Sequence, residues 1–244
     1  MTAADLRQVA LRKRTLLCVA LDPSPEVIPA SVWQRGLDAV ESYLQEVIRL
    51  TRDYAIAYKL NTAFYERWGE AGWGLLRRIR QALPSDTLAI ADAKRGDIAY
   101  TNTAYAHAFW DELGFDAITV HPYLGWEPLS PFLYRAQKGV FVLLRTTEAP
   151  AWQAQVVEAI LREKPQATPA WIGWVWGAHY SHELHFLRQI YPEDWLLVPG
   201  LGAQRAQIPK EAPLFPALLV VGRGILADPA QAPTWQQVSQ SFLP

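Results

Sequence analysis

The sequence predicts an α/β fold, a (β/α)8 TIM barrel with an extra N-terminal helix. Short apolar or β-branched runs alternate with longer amphipathic segments along nearly the whole chain, and eight of these runs resemble strands. The length of 244 residues suits one barrel of this kind. A doubly wound open sheet is the alternative, but closure of a barrel explains the even spacing better. We therefore expect a single domain over residues 1–244.

The predicted elements follow one another in strand–helix order. The apolar runs predict strands at residues 16–21, 55–60, 88–94, 117–120, 140–145, 172–177, 196–199 and 218–222. The amphipathic segments predict helices at about 31–51, 62–82, 101–113, 127–137, 152–163, 181–190 and 229–242, with a short connection near 205–211. The segment 4–13 precedes the first strand and predicts the extra helix.

The composition argues against a protein that binds nucleic acid or spans a membrane. The formal net charge is -1, so the chain has no overall basic character and small molecules are the expected partners. The N-terminus lacks the uninterrupted apolar core of a signal peptide, and no stretch approaches the length of a membrane span. Cys18 is the only cysteine, and its apolar surroundings suggest a thiol in the core. We expect a cytoplasmic protein.

Charged residues follow the first three predicted strands. In barrels of this class the chemistry lies at the carboxyl ends of the strands, where the loops converge. Asp22, Lys59, Asp92 and Lys94 lie at such ends, with Asp97 a little further along the chain. Asp92 and Lys94 are two residues apart and therefore point the same way in a strand. Alternating acids and amines would hold one another ionised, and Lys94 could protonate a carbanion left by departing carbon dioxide. A structural network of ion pairs at the barrel rim is the alternative.

The ends of strands seven and eight suggest a phosphate site. Gly200, Gly202 and Gln204 follow strand seven, and Gly222 and Arg223 follow strand eight. Glycines let backbone N–H groups approach an anion, and an arginine adds a bidentate cation. The alternative is that the glycines serve tight turns and that Arg223 pairs with a surface acid.

The segment Asp92–Thr101, with the sequence DAKRGDIAYT, closely resembles the DxKxxDIxxT signature of the orotidine 5'-phosphate decarboxylases, in the DAKRGDI form of one bacterial subgroup. The segments at 21–23, 58–61, 198–204 and 221–223 agree with the same family in order and spacing. The resemblance implies decarboxylation of orotidine 5'-phosphate to UMP, the last step of de novo pyrimidine synthesis, without a metal or organic cofactor.

The resemblance also implies roles for individual residues. Asp92 would crowd the substrate carboxylate, Lys94 would protonate C6, and Lys59 would hold Asp92 and the ribose in place. In the family the equivalents of Asp97 and Thr101 reach the active site of a partner subunit, so a homodimer is implied. The remaining residues are implied to contact the substrate. Asp22 would bind the ribose, Thr147 the pyrimidine ring, and Gln204 and Arg223 the phosphate, while Ile98 and Pro199 would line the apolar side of the base pocket. Asn61, Gly202 and Gly222 are also implied to bind the substrate.

Three positions depart from the family pattern. Thr147 and Glu148 stand where serine and asparagine are expected, so the contact to the base is altered. Arg205 follows Gln204 where the subgroup commonly has glycine, and Gly224 replaces a usual serine. These departures affect the loops that would contact the base and the phosphate.

Two other functions fit parts of the pattern. One is a magnesium-dependent sugar-phosphate decarboxylase or aldolase of the same superfamily, and the other is a non-catalytic barrel that binds a nucleotide. The second would be expected to have lost Lys94 or one of the aspartates, and none is missing. His179, His182 and His185 also suggest a metal site, but exposed helix histidines are the preferred interpretation.

Overall fold

Eight parallel strands close into a barrel in the computed structural model, which describes residues 1–146, 150, 152–200, 208–209 and 212–244. The strands are β1 Leu17–Ala20, β2 Ala57–Asn61, β3 Leu88–Arg95, β4 Ala117–Val120, β5 Gly139–Arg145, β6 Trp171–Trp176, β7 Leu196–Val198 and β8 Ala217–Val221. Each strand pairs with the next, and β8 returns to β1 through the pair Leu17 and Leu219. The predicted barrel is confirmed, and the open sheet is excluded.

Helices follow most of the strands and cover the outside of the barrel. The α-helices in the described part of the chain are α1 Ala3–Lys13, α2 Ala30–Trp33, α3 Leu37–Thr51, α4 Ala63–Glu66, α5 Gly69–Ala82, α6 Ala99–Ala106, α7 Ser130–Leu133, α8 Gln153–Arg162, α9 Leu184–Ile190, α10 Arg223–Ala227 and α11 Ala232–Gln240. A π-helical turn continues α6 over His107–Glu112. Among the described helices, none combines the length and the hydropathy that a bilayer crossing requires.

Two predicted helices are each divided at a glycine. Gly36, with a φ of 88°, separates α2 from α3, and Gly69, with a φ of 57°, begins α5 after α4. Glycine adopts such left-handed conformations readily because it has no Cβ, and the chain turns there. The short α10 was not predicted, and most of the predicted connection at 205–211 lies outside the described residues.

The predicted extra helix is α1, and its first residues contact the amino ends of β6 and β7. Its N-terminus carries a capping box in which Thr2 and Asp5 satisfy each other's backbone N–H groups. The indole N–H of Trp171, at the start of β6, donates to the carbonyl of Met1, and that of Trp195, just before β7, donates to Ala3. These contacts tie the helix to the barrel at the end opposite to the carboxyl ends of the strands.

Candidate active site

A cavity of about 320 Å³ opens at the carboxyl ends of the strands. Its size is in the range of small-molecule sites. Its lining comes from every strand or strand end except β4, and consists of Ala20, Asp22, Lys59, Asp92, Lys94, Leu143, Thr146, Val175, Leu197, Pro199, Gly200, Val220, Gly222 and Arg223. The predicted convergence of strand ends on one pocket is confirmed for these residues.

Two lysines and two aspartates form a continuous chain of ion pairs in this cavity. Lys59 Nζ donates to Asp92 Oδ2 at 2.8 Å and to Asp22 Oδ2 at 3.2 Å. Lys94 Nζ donates to the other oxygen of Asp92, Oδ1, at 2.6 Å. Lys59 and Asp92 are only 6% and 8% exposed, whereas the Lys94 side chain is 48% exposed at the cavity mouth. The cluster is therefore buried at its base and open at the amine of Lys94.

The neighbouring charges keep the base of the cluster ionised. Burial by itself raises the pKa of Asp92, but the ammonium groups of Lys59 and Lys94 outweigh burial and lower this pKa well below its usual range. Burial lowers the pKa of Lys59, but Asp22 and Asp92 outweigh it and raise this pKa. Both side chains are thus charged across the neutral range. Burial raises the pKa of the nearby Cys18 thiol to about 12, so this thiol stays protonated.

Thr119 on β4 also belongs to the cluster, although no motif in the sequence pointed to it. Its hydroxyl donates to Asp92 Oδ1 at 3.0 Å and accepts the backbone N–H of Lys94 at 2.9 Å. Threonine is common in buried strands, where its β-branched side chain packs well. The residue type alone therefore does not indicate a functional role. Only the alignment of β4 beside the end of β3 reveals the role.

The opposite side of the cavity is apolar. Leu143, Val175, Leu197 and Pro199 come from β5, β6 and the end of β7, and they face the charged cluster of β1 to β3 across the cavity. An apolar wall beside a charged wall suits a planar ring that carries a carboxylate at one edge.

The predicted phosphate residues lie beside this wall. Gly200 has a φ of 106°, a conformation that favours glycine, and a Cβ added at Gly222 would lie 3.1 Å from the Cβ of Ala20. Arg223 begins α10, lines the cavity, and forms no ion pair with any acid in the described part of the chain. Because Arg223 lines the cavity, its guanidinium could bind an anionic group of a ligand.

Four of the predicted site residues do not line the cavity of the described single chain: Asn61, Asp97, Ile98 and Thr101. The Asn61 side chain instead accepts the N–H of Ala63 at 3.2 Å, just before α4. Asp97 and Ile98 are exposed on the loop after β3, with Ile98 57% exposed, so in one subunit Ile98 does not line a base pocket. Thr147, Gly202 and Gln204 lie outside the described residues, as do Glu148 and Arg205.

The three histidines of the predicted alternative metal site are all exposed, at the start of the helical segment after β6. In the described part of the chain, no group of three or more His, Cys, Asp or Glu side chains is arranged to hold a metal ion. The two carboxylates of the cavity, Asp22 and Asp92, are already bound by the ammonium groups of Lys59 and Lys94.

Fold and cavity together define an enzyme of the (β/α)8-barrel class with ionised lysines and aspartates at its strand ends. The model of the orotidine 5'-phosphate decarboxylase / HUMPS family matches residues 15–238. The orotidine 5'-phosphate decarboxylase of Thermomicrobium roseum is 38% identical, over 93% of this chain and 87% of that protein. That of Herpetosiphon aurantiacus is 37% identical, over 97% and 94% respectively. The chain belongs to the orotidine 5'-phosphate decarboxylase / HUMPS family.

A solved structure agrees with the sequence comparisons. The OMP decarboxylase of Leishmania donovani superposes with a TM-score of 0.80 at 32% identity, and the match covers 100% of both chains. The family resemblance of the DAKRGDIAYT segment is confirmed.

Proposed function

We propose that this protein decarboxylates orotidine 5'-phosphate to UMP and CO2, the last step of de novo pyrimidine synthesis. The observation that carries the proposal is the contact of 2.6 Å between Lys94 Nζ and Asp92 Oδ1 inside the cavity. Family membership and the names of the relatives support the same activity. The proposal includes a single domain over the whole chain and a cytoplasmic location, where pyrimidine nucleotides are made and used.

The reaction follows from the charges of the cavity. Asp92, held ionised by Lys59, would face the carboxylate of the bound substrate, and the repulsion between the two is relieved as CO2 leaves. The bond from C6 to the carboxylate carbon breaks, and its electron pair stays on C6. Lys94 Nζ then gives a proton to C6 and completes UMP. A preorganised field of this kind stabilises the developing negative charge without reorganisation.

The rest of the cavity would bind the nucleotide. Gly222 and Arg223 would hold the phosphate, Asp22 would bind ribose hydroxyls, and the apolar wall at Pro199 would pack against the base. We also assign Thr147, Gly202 and Gln204 to the substrate on the basis of the family pattern alone. Binding energy from a phosphate remote from C6 can lower the barrier of the chemical step.

We expect the purified protein to convert orotidine 5'-phosphate to UMP with EDTA present. No residue of the proposed mechanism needs a metal, so chelation should leave the rate unchanged. The measurement is the loss of substrate absorbance, with identification of UMP as the product. A magnesium-dependent sugar-phosphate enzyme would instead lose its activity in EDTA and would not accept the nucleotide, which would refute the proposal.

The same proposal includes a homodimer in which Asp97 and Thr101 complete the partner's active site. Asp97 is exposed, and its backbone is fixed by Asn102, which accepts the N–H of Asp97 and donates to its carbonyl at 2.6 Å. The first turn of α6 and the loop after β4 also expose large aromatic side chains, with Tyr100 88% and Tyr123 78% exposed. An apolar patch around a rigid acid is typical of a subunit interface.

A test of shared sites is complementation between two inactive variants. We expect Lys94→Ala and Asp97→Ala each to be inactive alone, whereas their random co-assembly should restore about a quarter of the wild-type activity. Half of the dimers would be mixed, and each mixed dimer would hold one intact site. The measurement is the specific activity of the co-expressed pair. No recovery in dimers shown to be mixed would exclude a site shared in this way.

A further inference from the structure

The end of β3 departs from regular strand geometry at the position of Lys94. Ala91 pairs with Ile118 and Arg95 pairs with Val120, so the three residues 92–94 stand opposite Thr119 alone. Lys94 lies in the left-handed region with a φ of 48°, which is rare for a residue other than glycine. A bulge of this kind leaves backbone groups without partners in the ladder. The surrounding side chains must therefore supply them.

Side chains on both faces of the strand satisfy the bulge. On the cavity side, Thr119 accepts the N–H of Lys94. On the outer side, Arg95 Nη1 donates to the carbonyl of Ala93 at 2.8 Å. This carbonyl belongs to the peptide bond between Ala93 and Lys94. Arg95 therefore holds the backbone directly before the residue whose amine enters the cavity.

Arg95 is itself held firmly on the outside of the barrel. Its Nη2 donates to Glu66 Oε1 of α4 at 2.7 Å. The guanidinium carbon lies 5.0 Å from the ring centroid of Tyr105 and 5.5 Å from that of Phe109. These contacts fix a planar cation by one carboxylate and two aromatic rings. A lysine could not reproduce them.

We propose that Arg95, supported by Glu66, is a positioning residue that holds the bulge of β3 and thereby aims Lys94 at the reacting carbon. A residue in the left-handed region keeps that conformation only where its surroundings determine it. Without Arg95 the carbonyl of the buried residue Ala93 loses this hydrogen bond, and the strand can relax toward regular geometry. A shift of about 1 Å at a catalytic group can lower a rate by about a hundredfold. The inference rests on the proposed function, because it needs Lys94 as the proton donor.

The test is Arg95→Met, which keeps much of the apolar stem but removes both donors. We expect kcat for orotidine 5'-phosphate to fall at least about tenfold, while the Kd for UMP changes less than about threefold. The matched control is Arg78→Met, which breaks the pair between Arg78 and Glu41 on the outer helices. The control should leave kcat unchanged. Melting temperatures of both variants show how much either change loosens the fold.

A milder variant keeps the inference testable if Arg95→Met does not fold. Glu66→Ala removes the carboxylate that orients Arg95, and we expect a smaller drop of kcat with unchanged UMP affinity. The inference is overturned if the folded variant keeps kcat within about twofold, or if kcat and UMP affinity fall together as they would in a generally loosened barrel. If the wild type itself does not turn over orotidine 5'-phosphate, the proposed function fails instead.

Discussion

Replacing Lys94 by alanine is expected to lower kcat for orotidine 5'-phosphate by about a thousandfold or more. The amine is the acid that delivers the proton to C6, and its contact with Asp92 at 2.6 Å places it where the carboxylate would leave. Water, a much weaker acid than an ammonium group, would have to protonate the ring anion in its place. The measurement is the loss of substrate absorbance under saturating conditions.

Lys94→Arg is the matched control for charge. Arginine keeps a cation beside Asp92, but it is a weaker acid than lysine, and its longer planar group does not place a proton where the lysine amine lies. We expect this variant to be as slow as Lys94→Ala while it binds UMP better than the alanine variant does. If Lys94→Ala keeps most of the wild-type kcat, Lys94 is not the proton donor. If Lys94→Arg is active, the amine contributes only charge.

The fold and the charged cluster could be predicted because both depend on local patterns. Apolar runs bounded by polar residues revealed eight strands, and the two-residue spacing placed Asp92 and Lys94 on the same side of β3. The pair meets as predicted, although the strand is not regular there. Lys59 and Asp22 could be added to the predicted cluster because the carboxyl ends of parallel strands meet at one end of the barrel. The two side chains form an ion pair there.

Other features depend on contacts between segments distant in sequence. The role of Thr119 comes from the alignment of β4 with β3, and the short α10 at Arg223 begins where β8 ends beside the cavity. Asp97 and Ile98 follow the charged motif in sequence, yet the loop carries them out of the cavity of their own subunit. Sequence spacing alone does not show where such a loop turns.

Replacing Lys59 by methionine is expected to destabilise the protein by about 3 kcal/mol at pH 7, in addition to lowering its activity. Lys59 is 6% exposed and is the ammonium group that lies between Asp22 and Asp92. Its removal leaves a buried carboxylate whose remaining ion-pair partner, among the described residues, is the half-exposed Lys94. The measurement is the free energy of unfolding in urea. Arg49→Met, which breaks an exposed pair with Glu46, should cause no comparable change.

The pH dependence of this loss of stability shows which ionisable group causes it. In the wild type the lowered pKa of Asp92 gives stability that is present above the ordinary carboxylate pKa and is lost only as the pH falls well below about 4. The raised pKa of Lys59 gives stability that is present below about 10.5 and is lost only at higher pH. In Lys59→Met the lowering effect of Lys59 is gone and Lys94 alone opposes burial, so we expect the pKa of Asp92 to rise and acid to neutralise this carboxylate more readily. The gap in unfolding free energy between the two proteins should therefore shrink as the pH falls from about 7 to about 4.5. A gap that stays constant or widens would show that Asp92 does not carry the uncompensated charge.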